Sequence, residues 1–303
     1  PVTIRMLLTH QSGLAHYTPQ YHSYTKSDEL LRWISDRQRW EVGDTHRDVP
    51  FGEFLERYLT PGGSYYVPEA WRFEPGTEQA YSTPGYDILG YVVERVSGES
   101  LEDFLRENIY DPLGMNSTGR SVTESPGIQA VPHERMYGVL AQTNVEIPLS
   151  DRRRLGGGGM RTTVPDLAQF LIAHMSGGQS GDFQLLQPET VALMHSQAVR
   201  GGGDFMMAGT GMGWSLFTDE PREMWGEMMD LRGMQGHGGA DYGYRASMFM
   251  VEGDDGAYGY VMLADVSLLS EELDFAWFLA IDKGIEALLL QEGSERLAGT
   301  SGQ

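Results

Sequence analysis

Four groups of residues in this 303-residue chain have types and spacings that could do chemistry. His10, His16 and His22 recur evenly, as zinc ligands might. That spacing fits no face of a helix, so the expectation is no metal site. Ser23-Tyr24-Thr25-Lys26 sets a hydroxyl and an amine three residues apart, and Lys26 and Lys283 are the only lysines. A serine attacks an acyl carbonyl only with a base beside it, which here requires both side chains on one helical face. The helix signal begins only at Ser27-Asp28-Glu29, so Ser23 and Lys26 are expected in a loop and their spacing is read as coincidence. Tyr81-Ser82-Thr83-Pro84-Gly85 and Gly236-His237-Gly238-Gly239 hold a phenol and an imidazole beside turn residues. Alone, they read as a tyrosine at a helix start and a polar strand-end residue. Cysteine is absent, which excludes disulfides, thiolate metal sites and a Cys nucleophile.

The elements around these groups follow from periodicity and breakers. Leu7, Leu8 and Leu14 suggest a short helix stopped by Gly13. Leu30, Leu31 and Ile34 form a helical stripe, and Phe54 to Tyr58 a shorter one. Pro61-Gly62-Gly63 and Phe73-Glu74-Pro75-Gly76-Thr77 are turns. After Pro84 a helix is expected, with Ile88, Leu89, Val92, Val93 and Val96 buried and Gly98 ending it. Ser100 caps the next, with Leu101, Phe104, Leu105 and Ile109 inward. Residues 120–155 read as a loop-rich insert and Gly156 to Gly159 as a flexible run. Helices follow from Thr163-Val164-Pro165-Asp166 and from Pro188. Strands are expected at Gly213–Phe217, Tyr244–Val251 and Tyr258–Ala264, the last two joined by a hairpin turn at Gly253-Asp254-Asp255-Gly256. Leu273 to Leu290 reads as a closing helix. Helices followed by helices with an antiparallel sheet give an α+β fold.

Five blocks then carry a family resemblance. Thr3-Ile4-Arg5-Met6-Leu7-Leu8-Thr9-His10-Gln11-Ser12-Gly13-Leu14 is similar to a "TIRHLLTHTSGL" segment. Phe73-Glu74-Pro75-Gly76-Thr77 with Tyr81-Ser82-Thr83-Pro84-Gly85-Tyr86 resembles "F-x-P-G-T … Y-S-N-x-G-Y". Asp111-Pro112-Leu113-Gly114-Met115 with Thr118, and Gly158-Gly159-Met160-Arg161-Thr162-Thr163 with Asp166, resemble two further segments. Gly236-His237-Gly238-Gly239 with Gly243 and Tyr244 resembles "G-H-x-G-x-x-x-G-F". In this order they resemble the serine β-lactamases (class C), D-alanyl-D-alanine carboxypeptidases, penicillin-binding proteins and related esterases.

The resemblance implies a β-lactamase/transpeptidase-like fold, an antiparallel sheet flanked by helices beside a mostly helical region. Residues 1–155 would carry the Tyr-Ser-Thr motif and 156–303 the His-Gly-Gly motif, in one catalytic domain. It implies acyl-enzyme hydrolysis of a small ester, amide or lactam. Tyr81 would be the general base and proton donor, and His237 would support proton transfer or contact substrate. Ser82, Thr83, Gly238 and Gly239 would line the substrate, with the Ala240 N–H as an oxyanion donor. His10 falls within its block as a structural residue. Thr83 departs from the usual Asn: a hydroxyl cannot make the paired contacts of an amide, which makes β-lactam or peptidoglycan recognition less expected.

The nucleophilic Ser and Lys of the family's S-x-x-K precede the first block, so they are expected to be absent from the chain. Pro1 in place of Met suggests that sequence is missing upstream, including the first strands and the nucleophile helix. Such a chain alone would be inactive and would self-associate through an exposed sheet edge. The alternative is a binding or assembly protein on the same fold that has lost its nucleophile.

Composition bounds the partners. Asp plus Glu number 43 against 22 Lys plus Arg, a formal charge of −21, which repels phosphate backbones and argues against nucleic acid. No apolar run in these residues reaches membrane-spanning length and no signal peptide is read in them, any targeting signal being expected upstream; the compartment stays open. The expected partner is a small acyl substrate, with no metal or organic cofactor. Residues 120–155 and the Asp219 to Met234 stretch, with Trp225, are candidates for the pocket mouth.

Overall fold

The computed structural model describes residues 1–16, 18–26, 28–32, 49–121, 124–137, 142–146, 156–200, 209–217, 233–253 and 256–268. The expected closing helix at 273–290, Trp225 and most of the 219–234 stretch lie outside these residues.

Short capped helices build the first half. Helix α1 (Ile4–Leu8) starts where Thr3 Oγ1 accepts the Met6 N–H. It ends at Thr9, four residues before Gly13, because His10 itself takes the left-handed turn at φ 57°. Helix α2 (Pro19–Thr25) has Thr18 as its cap and Pro19 in its first turn. This corrects the loop expected before Ser27: the Thr18-Pro19 start signal was the one to read. Helix α3 (Phe51–Leu59) packs Phe54 and Tyr58 against Tyr21 and Tyr24 of α2. The Tyr24 and Phe54 rings stack at 4.1 Å, and Phe54 and Tyr58 at 5.4 Å.

Helix α4 (Thr83–Ser97) is capped by Ser82 and closed by Gly98 at φ 82°. Its buried residues are Thr83, Pro84, Gly85, Asp87 and Gly90, not the expected valine stripe. Val96 is 83% exposed. Small residues let this face approach α1 closely; a Cβ on Gly85 would already touch Leu7 Cδ2 at 3.6 Å. Helix α5 (Leu101–Leu105) runs into a π-helical turn, Arg106–Tyr110.

The second half adds helices α6 (Val164–Met175) and α7 (Pro188–His195) and a six-stranded antiparallel sheet. In spatial order its strands are β10 (Gly256–Ala264), β9 (Tyr244–Gly253), β8 (Gln235–Asp241), β7 (Ser215–Leu216), β6 (Gly209–Thr210) and β5 (Val199–Arg200). Helix α6 crosses β9 and β10, burying Leu171 with Trp214, Leu216 and Met250. Gln179–Ser180 (β3) and Phe183–Gln184 (β4) form a small ribbon.

The stretch expected as a loop-rich insert instead holds β1 (His133–Tyr137) and β2 (Gln142–Glu146), paired antiparallel, with β11 (Val266–Leu268) parallel to β1. Backbone pairing between residues about 130 apart, such as His133 with Val266, leaves no trace in local periodicity. Helices beside an antiparallel sheet make this an α+β fold of the kind expected. No described helix is long and apolar enough to cross a membrane.

Candidate functional site

Tyr81 is the residue before the α4 cap, so the start of that helix fixes its backbone. The chain leading to it lies along residues 9–11. Gly76 N–H donates to Gln11 O at 2.8 Å, Gln79 Nε2 to Thr9 O at 3.1 Å, and Ala80 N–H to His10 O at 2.9 Å. Two side chains then take the next two amides. Ser82 N–H donates to His10 Nδ1 at 3.1 Å, and Thr83 N–H to His16 Nδ1 at 3.3 Å. Ser82 Oγ accepts the Gly85 N–H at 3.3 Å, and Thr83 Oγ1 lies 3.2 Å from His16 Nδ1. Both hydroxyls therefore face inward.

Below them Asp87 is fully buried. It accepts Tyr21 O–H at 2.6 Å, Gly156 N–H at 2.9 Å and Gly157 N–H at 2.8 Å. A Cβ on Gly157 would collide with Thr83 Cγ2 and with the Thr83 carbonyl oxygen. The glycine run expected to be flexible is thus pinned at Gly156 and Gly157 against the Tyr81 motif. Asp87 went unread because it sits among apolar residues; an acid there is itself a signal, since a buried carboxylate needs partners.

His237 arrives on β8. The turn Tyr242–Gly243 closes the β8–β9 hairpin at the Asp241–Tyr244 pair. Counting back by twos, Gly239 and His237 are the residues whose amides bond β9. The amides of Gly238 and Ala240 point the other way. On that side β7 pairs only with Gln235 and Gly236, so Gly238 and Ala240 face no described strand. A Cβ on Gly236 would collide with Met248 O, whereas one on Gly238 would meet nothing nearer than 3.8 Å and one on Gly239 nothing nearer than 3.4 Å. Packing requires the first glycine and leaves open room at the other two.

The two parts meet. The rings of Tyr81 and His237 have centroids 6.3 Å apart, and His10 and His16 flank the same phenol at 4.4 and 5.0 Å. Burial, then the neighbouring His237 and His16, hold His10 down to about pKa 3. Burial also lowers His237, opposed by a hydrogen bond with the Gly238 backbone. Tyr86, whose O–H donates to Leu8 O at 2.8 Å, is raised beyond the usual phenol range by burial and then by Tyr81. His10, His16, His237 and Tyr81 are thus one coupled cluster.

The other chemistry-bearing residues lie apart from this cluster or serve structure. Ser23 sits in the last turn of α2 with its Oγ donating to Pro19 O at 3.0 Å, and Lys26 is the residue that ends the helix. Both are buried, and the Lys26 ammonium lies 4.8 Å over the Tyr242 ring. Two blocks of the resemblance meet elsewhere: Asp166 Oδ2 accepts Ser117 N–H at 2.7 Å and Thr118 O–H at 2.8 Å. A further chain was not legible: His174 Nδ1 lies 3.0 Å from His195 Nε2, and His195 Nδ1 2.8 Å from Gln235 Oε1, at the start of β8.

This architecture is that of the penicillin-binding-protein-like folds. A penicillin-binding protein from Bacillus halodurans superposes with TM-score 0.63 at 21% identity, over 95% of this chain and 74% of that one. A D-amino acid amidase from Ochrobactrum anthropi, solved with L-phenylalanine amide, superposes with TM-score 0.60 at 20% identity, over 97% and 72%. The chain belongs to the Beta-lactamase family, which it matches over residues 1–275. Among curated proteins it is similar to lovastatin esterase of Penicillium rubens, 29% identical over 65% of this chain and 44% of that one. It is also similar to a putative D-alanyl-D-alanine carboxypeptidase of Escherichia coli, 27% identical over 48% and 36%. The chain spans well under half the length of these curated relatives.

Proposed function

We propose that the chain carries the tyrosine and histidine side of a serine hydrolase that cleaves small esters, amides or lactams through an acyl-enzyme. The observation that supports this is the approach of Tyr81 to His237 beside the stretch of β8 with outward-facing amides. In this reading the serine and its lysine come from a Ser-x-x-Lys segment preceding the Thr3–Leu14 block. The serine oxygen bonds to the acyl carbon as its proton passes to Tyr81, held as the phenolate by the ammonium of that lysine. The oxyanion is held by the N–H of Ala240. Tyr81 then returns the proton to the leaving alcohol or amine as that bond breaks. Water repeats the exchange to free the acid.

His237, kept neutral by burial, hydrogen-bonds to substrate or passes protons beside Tyr81. Gly238 and Gly239 let the substrate backbone lie along β8. Ser82 and Thr83 contribute backbone position rather than hydroxyls. An esterase among the curated relatives supports an ester as one of the bonds cleaved. Self-association through an end strand, β10 or β5, belongs to the same proposal; the related Pyrococcus abyssi protein is described as octameric.

The test is a chromogenic short-chain ester with the protein translated from its natural start. A product burst and a covalent adduct with a fluorophosphonate are expected. Neither appearing would overturn the reading and leave a binding or assembly protein on this fold.

A further inference from the structure

His10 is the one described non-glycine residue with a positive φ. It is held in that backbone by contacts on both sides of Tyr81. Its carbonyl accepts from Ala80 N–H and its ring Nδ1 accepts from Ser82 N–H. His16 repeats the ring contact one residue later, with Thr83 N–H. Only an unprotonated ring nitrogen accepts an amide N–H. His10, neutral, must therefore carry its proton on Nε2, and it cannot become an imidazolium without expelling an amide; His16 accepts its amide in the same Nε2-protonated form, with the Thr83 hydroxyl beside the same nitrogen. Both rings lie against the phenol of Tyr81, at 4.4 and 5.0 Å.

We propose that His10 and His16 form a clamp of two neutral imidazole acceptors that positions Tyr81 for proton transfer. They act through the backbone, so they are positioning residues; the proposal rests on the hydrolase reading for its consequence, not for its geometry. His10 fixes the amide on either side of Tyr81. His16 fixes the next one, with the Thr83 hydroxyl 3.2 Å from the same nitrogen. Among the described residues, the groups facing His10 are Tyr81, Tyr86, His16 and His237, none of them a carboxylate. Nothing there favours the protonated ring.

The clamp can be tested without turnover. In protein labelled with ¹⁵N, scalar couplings across the hydrogen bonds should link Ser82 N to His10 Nδ1 and Thr83 N to His16 Nδ1, with both Nε2 atoms protonated. A protonated Nδ1 on either ring at neutral pH overturns the proposal. Two substitutions then separate positioning from folding. His10→Gly tolerates the positive φ but has no acceptor; His10→Asn tolerates it and presents Oδ1 near the place of Nδ1.

Both variants should fold, judged by circular dichroism. His10→Gly should lose the close ¹H contacts between the Tyr81 and His237 rings, and His10→Asn should keep them. Equal behaviour of the two variants overturns the clamp. With ester turnover, His10→Gly should lower kcat about 10- to 100-fold with little change in KM, and His10→Asn should recover most of it. If the unsubstituted protein turns over no ester, the hydrolase reading fails alone and the ring contacts still decide the clamp.

Discussion

The strand that presents His237 keeps its shape through backbone pairing, seven residues of β8 in register with β9. The segment that presents Tyr81 has no such ladder. Ala80 still bonds a backbone carbonyl, but the two amides after Tyr81 end on the imidazoles of His10 and His16, and one layer below the carboxylate of Asp87 takes the amides of Gly156 and Gly157. A ladder tolerates most residue types because the main chain makes the bonds. A side-chain scaffold depends on each identity, since a lost acceptor leaves buried N–H groups unpaired. The tyrosine side should therefore be the more fragile half of the site.

The largest test of that contrast is Asp87→Ala. It strands the Tyr21 hydroxyl and two amides, and should cost about 3–5 kcal/mol of unfolding free energy in urea. Asp87→Asn, which keeps a carbonyl oxygen, should cost clearly less. Equal costs would mean that the acceptor is not what holds this layer.

Acid should expose the next difference. Burial, followed by neighbouring imidazoles, depresses His10 to about pKa 3 on the tyrosine side. Burial and then His195 depress His174 to about 4 behind the sheet. An unfolded histidine titrates near 6.5, so below that pH the unfolded chain binds protons that these native rings refuse. Stability is full above about pH 6.5, declines as pH falls, and loses the His174 share by about 4 and the His10 share by about 3. Calorimetric Tm between pH 7 and 4 should fall, by an amount corresponding to a few kcal/mol. His10→Asn should remove the part belonging to the tyrosine side; an unchanged profile would remove His10 from the account.

Two glycine substitutions give smaller effects. Gly157→Ala drives a methyl into Thr83 and should destabilise by about 1–3 kcal/mol. Gly239→Ala makes only an ordinary van der Waals contact, with Ala246 Cβ at 3.4 Å, and should change stability by less than about 0.5 kcal/mol. Its effect should fall on ester turnover instead, where the added methyl obstructs substrate along β8. A Gly239→Ala protein with full turnover would move the substrate off this strand.

His10 shows how far the sequence carried the reading and where it stopped. It was assigned to a structural block, and its nearness to Tyr81 and the bond from Ser82 were not legible, because 72 positions separate the partners. α2 was missed although Thr18-Pro19 announces it. The apolar stripe of α4 is only half-buried at Ile88, Leu89, Val92 and Val93, while full burial falls on Gly85, against α1, and on Asp87, held by Tyr21, Gly156 and Gly157. The place of β1 in a sheet escaped because its pairing with β11, 133 positions away, leaves no local period.

By itself the sequence determined what nearest neighbours decide. It set the caps at Thr163 and Ser100, the αL stop at Gly98, the strands around the 253–256 turn, and the ordered blocks that mark the family. Only the tertiary structure decided which acceptor meets which donor: His10 with Ser82, His16 with Thr83, Asp87 with Gly157, His195 with Gln235. A hydrogen bond depends on a few tenths of an ångström between groups that the chain brings together only when folded, and residue order carries no measure of that distance.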